Sequence, residues 1–456
     1  MAIARKLADF IRETETVPEA TRAIAVSAVF DLMTAAVVGY DSPGGRAARN
    51  AVSAIWGTGP ATNWFSTDRL TVPGAAFVNS AIASMLDLDD GHRAAAGHPG
   101  ASIIPAVFAT ADAYDVNANQ ALVAIALGYE ISVRIASARD INSLDTLVTG
   151  PWCGQGAAAA AGWLRGLSSS EITQAISIAG SSAPNLAAVA YSRIMGNHVK
   201  EGIPWATATG LAAVDLAAAG FTGPVDLFDN EQLYDPSKLT SALGNSWLID
   251  GIYFKPYSCC RWAHAAIEAL LELQAKAEIT VAAIDAIEVH TFGRTLRLNN
   301  DLAPDNLEAA QYSVPFCMAL AALRGTEALL PLKENSLKDP EVLALAKCIK
   351  LTVDPELDAM FPEAVPARVV ITTSRGHSAH TVLAPKGEPA NPMTEADLEA
   401  KFDTAARQLI DPSLESALMA GIGALRGGDI LPLRSALATP MDATQKPLPR
   451  LTARKA

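Results

Sequence analysis

Aromatic residues are scarce in this chain, at 6% of its 456 positions, although half of all positions are hydrophobic. Alanine and the aliphatics supply that apolar content, and alanine both favours helix and lets helices approach closely. A mainly α protein is therefore expected. Cysteine is also rare: there are five, an odd number, with no CxxC pair. That excludes a disulfide framework and a zinc cluster and predicts reduced thiols and no metal. Basic residues are outnumbered, 35 against 48 acidic ones, for a net charge of −13. Such a surface excludes nucleic acid as a partner, but a few cations converging in a cleft can still hold a small anion.

An apolar leader is missing as well. The opening MAIARKLADFIRET carries charges where a signal peptide needs its hydrophobic stretch, so a cytoplasmic location is expected. Thr173 to Ser192 lacks charge, but Gln174, Gly180, Ser181, Ser182, Pro184 and Asn185 make it too polar and too broken to face lipid. It reads as a buried helix that breaks near Gly180, and no membrane partner is expected. The stretch GPWCGQGAAAAAG (Gly150–Gly162) matches neither phosphate-loop nor dinucleotide spacing, which leaves close helix packing.

The length suits two domains. Helical periodicity runs through the first ~265 residues, and Thr16 with Glu19, Asn117 with Gln120, and Ser168 with Glu171 read as capping boxes, with Pro18 in a first turn. The texture then changes. Ile284–Phe292 and Cys348–Pro355 alternate like strands, Ala367–Pro385 reads as a hairpin turning at Ser374–Gly376, and Val314–Leu323 reads as a helix. Helical pattern returns at Thr394, with Asp397 near its start, and a polar tail follows from Pro440. The expected architecture is a discontinuous helical domain, residues 1–267 plus 394–456, with an α+β lid domain, residues 268–393, inserted into it. The cleft between them is a natural ligand site.

Three polar clusters interrupt the apolar background. Leu86–Ala106 (LDLDDGHRAAAGHPGASIIPA) crowds Asp87, Asp89, Asp90, His92 and His98 at a helix end, where acids oppose the helix dipole. Arg193–Ala213 sends Lys200 into an alanine-rich helix, which is costly for an ammonium unless it is paired, functional or snorkelling. Ile249–Leu270 holds Lys255, Tyr257, Cys260, Arg261 and His264. Lys255 and Arg261 suit carboxylate binding, Cys259 and Cys260 read as packing residues, and Tyr312 stands either in the core or at the same cleft.

In order and spacing, DLDDGH followed by HPG, then GNHVKEG, then FKPYSCCRWAH, resemble the MmgE/PrpD family over essentially the whole chain. The resemblance implies a large helical domain with a smaller α+β lid, a homodimer, no cofactor, and action on a small di- or tricarboxylate. The family holds 2-methylcitrate dehydratase, cis-aconitate decarboxylase and iminodisuccinate epimerase, and the wording is most similar to the epimerase branch. Position by position, Asp87 and His98 match the family's active-site acid and histidine, Lys200 and Lys255 its two lysines, and His264 a histidine closing the last motif. Two departures stand out. The His-Pro-Thr run of the lyases has no histidine here at Val148–Gly150, and Gly91 replaces a common threonine.

The implied activity is epimerisation by proton removal and return alpha to a carboxylate, with a lyase of the same family and a non-enzymatic carboxylate-binding protein as alternatives. His98 and one of the two lysines form the expected pair of bases, with Asp87 orienting His98. A buried lysine beside another cation is expected to have its pKa lowered towards neutrality. Arg261, His264, Tyr257, Tyr312, Cys260 and His92 are the expected substrate-binding residues.

Overall fold

The computed structural model describes residues 2–184 and 196–441. The parts of the Arg193–Ala213 motif, the Thr173–Ser192 segment and the Pro440 tail that fall at 185–195 and 442–456 lie outside the described residues. Helices dominate: Ile3–Glu13, Glu19–Gly39, Val72–Ser84, Gly100–Ala113, Ala118–Ser137, Gly150–Leu164, Ser169–Ser181 and Ile203–Ala218 build the N-terminal half. Ala118–Ser137, Gly150–Leu164 and Ile203–Ala218 pack as neighbours, with Gly154 and Gly156 set against adjoining backbone, as the glycine-rich stretch predicted. Glu19–Gly39 and Ala118–Ser137 are long and apolar enough to cross a membrane, but 78% and 89% of their most hydropathic windows are buried inside the protein.

The capping boxes at Asn117/Gln120, Ser168/Glu171 and Thr394/Asp397 are all formed. The one expected at Thr16 is not. Pro18, in an extended conformation, is itself the residue before the helix, which starts at Glu19. Thr16 is therefore two residues too early for its hydroxyl to meet the first free amides.

The strands are β1 (Thr58–Thr62), β2 (Arg69–Leu70), β3 (Gly91–His92), β4 (Ile252–Tyr253), β5 (Ala286–Thr291), β6 (Ile349–Val353), β7 (Ala367–Thr373) and β8 (Gly376–Val382). The last four form one sheet in the order β6-β5-β7-β8, parallel between β5 and β6 and antiparallel elsewhere. These are the strands and the hairpin that alternation predicted. The helix His264–Lys276 packs on β7 and β8, Val314–Arg324 packs on that helix, and both share a hydrophobic core with the sheet, distinct from the core of the N-terminal helices. Leu86 and Leu88, which flank Asp87, pack into this second core. The DLDD loop thus lies on the seam between the two cores.

Candidate active site

Asp87 follows the helix Val72–Ser84 and adopts a left-handed backbone with φ +53°, a costly conformation for a non-glycine residue. Behind it, Asp90 is locked by the Tyr129 hydroxyl (2.6 Å) and by the Gly100 amide (3.0 Å). The two-residue ladder of β3 with β4 pairs Gly91 with Tyr253 and His92 with Ile252. That ladder is what carries Lys255, two residues beyond β4, to the acidic loop. It also accounts for Gly91: a Cβ there would stand 2.2 Å from the Tyr253 hydroxyl oxygen, so the tyrosine fills the space of the side chain that the family pattern usually places there.

Lys200 is presented by an equally constrained turn. Lys200, Glu201 and Gly202 are consecutive left-handed residues, with φ of +45°, +59° and +77°. The Glu201 carboxylate accepts the Thr149 amide (3.0 Å) and hydroxyl (2.7 Å), and Gly150 lets the turn lie against the helix start, since a Cβ there would be 2.5 Å from the Glu201 carbonyl oxygen. Thr149 also receives the His98 amide at 3.1 Å. One threonine therefore ties the lysine turn to the histidine loop.

These elements converge on the Asp87 carboxylate, which is buried. Lys200 Nζ lies 3.5 Å from its Oδ1, Lys255 Nζ 3.2 Å from its Oδ2, and His98 Nε2 3.7 Å from Oδ1. Lys200 also donates to Gln311 Oε1 (3.1 Å) and to the Tyr312 hydroxyl (3.0 Å), whose own proton points back to Asp87 at 3.4 Å. His98 Nδ1 sits 2.7 Å from the Asp90 carbonyl, an acceptor only, so Nδ1 carries a proton and Nε2, facing Asp87, is the nitrogen that can gain or lose one.

Burial would favour neutral Asp87, but Lys255, Lys200 and then His98 hold its carboxyl well below the usual range. Burial likewise pulls Lys255 down, and the Asp87 and Asp89 carboxylates more than reverse it, leaving the ammonium's pKa raised. The expectation that burial beside a cation would make this lysine a base is therefore corrected: Lys255 is a permanent cation. Its contact with Asp87 is an ion pair without hydrogen-bond alignment, so Lys255 Nζ and Asp87 Oδ2 have no hydrogen-bond partner among the described residues.

The other expected site residues are distributed differently. Arg261 donates to Glu388 (2.8 Å) and to the carbonyls of Pro385 (2.9 Å) and Lys386 (2.8 Å), and contacts His264 Nδ1 at 3.1 Å. It clasps the loop after β8. His264 completes that clasp through the Cys259 carbonyl (3.2 Å), and burial, Arg261 and Lys255 keep its ring neutral. Tyr257 packs against His264 with the rings tilted by 40° and 5.0 Å between centroids, and opens to a different surface cavity. Cys260 lines the site, and burial raises its thiol pKa, so it is no ready nucleophile. His92 faces a larger neighbouring cavity, and burial lowers its pKa to about 4.

Sequence reading missed Gln311, Glu201, Glu388, Arg93 and the buried pair Asp31–Lys401 (2.6 Å), in which Lys401 also donates to the Leu88 carbonyl at 2.9 Å. Each acts across a long stretch of chain, so no local pattern marks it. Asp87, Asp89 and His98 do offer donor atoms within 4.8 Å of one another. Two ammonium groups already supply positive charge to Asp87, so the set fits a dication poorly.

The cavity at this cluster, lined by His98, Glu201, Tyr253, Cys260, Arg261 and Tyr312 among others, measures about 20 Å³. That is room for about one water. The larger cavity beside it measures about 550 Å³ but holds none of the Asp87 cluster.

Comparison with known proteins bears on what such a cluster does. The chain is 28% identical over 377 residues to the cis-aconitate decarboxylase-like protein oryM of Aspergillus oryzae, covering 74% of this chain and 76% of that one. It is 26% identical over 404 residues to the cis-aconitate decarboxylase of Aspergillus terreus, covering 80% and 81%. It is 25% identical over 378 residues to the human cis-aconitate decarboxylase, covering 76% of each. The MmgE/PrpD N-terminal domain matches residues 5–239 and the MmgE/PrpD C-terminal domain matches residues 257–420. With the convergence of DLDDGH, Lys200 and Lys255 on one buried carboxylate, these matches place the chain in the MmgE/PrpD family.

Proposed function

We propose that this chain is a cofactor-independent lyase acting on a small tricarboxylate of the aconitate or methylcitrate kind. The observation that carries the reading is the pair of buried ammonium groups, Lys200 and Lys255, meeting beside the basic Nε2 of His98. Cleaving a bond at a carbon next to a carboxylate moves negative charge onto that carboxylate, and preorganised cations stabilise it most where water is excluded. In decarboxylation the C–C bond breaks, CO₂ leaves, and the carbanion takes a proton from His98, whose Nε2 has first gained one from solvent. In dehydration the unprotonated Nε2 takes the alpha proton and the hydroxyl leaves as water with a proton from Tyr312. Tyr312, bonded to Lys200, is the second proton carrier. Two of the relatives named above are cis-aconitate decarboxylases and the third is a cis-aconitate decarboxylase-like protein, which favours the lyase reading. In this reading residues 268–393 form a lid, and the chain works as a cytoplasmic homodimer.

A second reading, epimerisation of iminodisuccinate or a similar amino-dicarboxylate, is favoured by one observation. The stretch Val148–Gly150 lacks the histidine donor that the lyase pattern supplies, and its one hydroxyl, that of Thr149, is spent on Glu201 at 2.7 Å. An epimerase eliminates nothing and needs only removal and return of one proton. Incubation with cis-aconitate, 2-methylcitrate and iminodisuccinate in D₂O separates the readings. Released CO₂ or a new alkene absorbance identifies the lyase. Changing optical rotation with one deuterium gained identifies the epimerase. Binding with no turnover of any of the three overturns both and leaves a carboxylate-binding protein.

A further inference from the structure

Two arginines flank the Tyr253 ring, with guanidinium carbons 4.3 Å (Arg93) and 5.1 Å (Arg261) from its centroid, and both face Glu388. Their states differ. Arg261 spends Nε, Nη1 and Nη2 on Glu388 and two loop carbonyls. Arg93 reaches Glu388 only through Nε, at 3.5 Å, and that buried nitrogen makes no hydrogen bond among the described residues. Leaving a buried guanidinium nitrogen without a hydrogen bond is costly, and the planar fork of arginine is shaped for a carboxylate.

Its position adds a second, independent observation. Arg93 is the one described residue that lines both the about 20 Å³ cavity at His98 and Tyr312 and the about 550 Å³ cavity beyond it. The larger cavity also carries Arg139 and Lys238, against Asp140 and Glu363. The smaller one is too tight for a tricarboxylate of a dozen heavy atoms. A substrate whose reacting carbon meets His98 must therefore extend past Arg93.

We infer that Arg93 is the anchor for the substrate's far carboxylate, and that the larger cavity is the vestibule from which the substrate arrives, exchanging the long Arg93–Glu388 contact for a bidentate one. This rests on the polycarboxylate reading above and adds to it a specificity-determining residue. It predicts a preference for substrates with a carboxylate remote from the reacting carbon.

The test uses tricarballylate, a saturated tricarboxylate with no reactive double bond, and methylsuccinate, which is tricarballylate without one terminal carboxylate, each titrated calorimetrically into the full-length protein, the Arg93→Met variant and the Arg93→Lys variant. Circular dichroism melting checks that all three are folded, and Arg93→Lys retains the charge if Arg93→Met does not fold. Wild type should bind tricarballylate at least tenfold more tightly than methylsuccinate. Arg93→Met should erase that preference, and Arg93→Lys should reduce it, because an ammonium cannot make the two-pronged contact. An unchanged preference in a folded variant overturns the role of Arg93 and leaves the polycarboxylate reading standing. Failure of wild type to bind tricarballylate overturns both.

Discussion

Lys200 and Lys255 reach opposite oxygens of a single carboxylate, that of Asp87, at 3.5 and 3.2 Å. Fifty-five positions apart in sequence, they come together because a left-handed turn presents one and the β3–β4 ladder delivers the other. The Asp87 carboxylate is the shared counter-charge of both.

Neutralising that carboxylate should therefore do more than remove one contact. Asp87→Asn leaves two ammonium groups facing each other in a buried site, and breaking a buried ion pair by removing one partner costs about 3–5 kcal/mol. Denaturant unfolding should register that loss. Turnover should fall as well, since the positions of both cations depend on Asp87.

His98 can be tested without disturbing its support. Asn at this position keeps a donor near the place of Nδ1, towards the Asp90 carbonyl 2.7 Å away, and removes the basic Nε2. His98→Asn should unfold near the wild-type temperature while turnover falls ~10²–10⁴-fold, the usual contribution of a positioned acid–base group. Near-wild-type turnover in a folded variant would place proton transfer elsewhere.

Asp90 sets a pH dependence of stability. Burial, only partly offset by the Tyr129 hydroxyl, raises its pKa from 3.8 to about 8. Between those values the folded protein holds a proton that the unfolded chain has released, so this group's contribution to stability falls as pH rises from about 4 to about 8 and is level beyond. Asp90→Asn keeps an acceptor for Gly100 and offers Tyr129 a donor. The variant should flatten the decline in melting temperature across that window and gain stability relative to wild type at pH 8.5.

Gly91→Thr installs the residue common in the family and drives it into Tyr253. Overpacking of this kind typically costs about 1–3 kcal/mol. The variant should melt earlier than wild type, and the double variant Gly91→Thr, Tyr253→Ala should recover part of the difference.

The sequence exposed Asp87, His98, Lys200, Lys255 and Tyr312 because each is a polar side chain set in apolar surroundings, and the strands because their alternation is local. Arg261 looked like a substrate clamp for the same reason, but its partners are backbone carbonyls of Pro385 and Lys386, which no residue type announces. Arg93 was hidden by its neighbours: in a run of acids and histidines one arginine reads as surface charge. The Lys255 pKa was misjudged because its nearest charge is Asp87, 168 positions away, and not another cation.

The buried pair of Asp31 and Lys401 joins residues 370 positions apart, and its lysine also grips the Leu88 carbonyl beside Asp87. Closing so long a loop carries a large entropic cost that only the nearly finished fold can offset. Catalytic geometry should then be among the last things acquired as the chain folds. In a refolding time course, helical signal should return first and activity only in the slowest phase, when the helix Glu395–Ala405 docks beneath the loop that it secures.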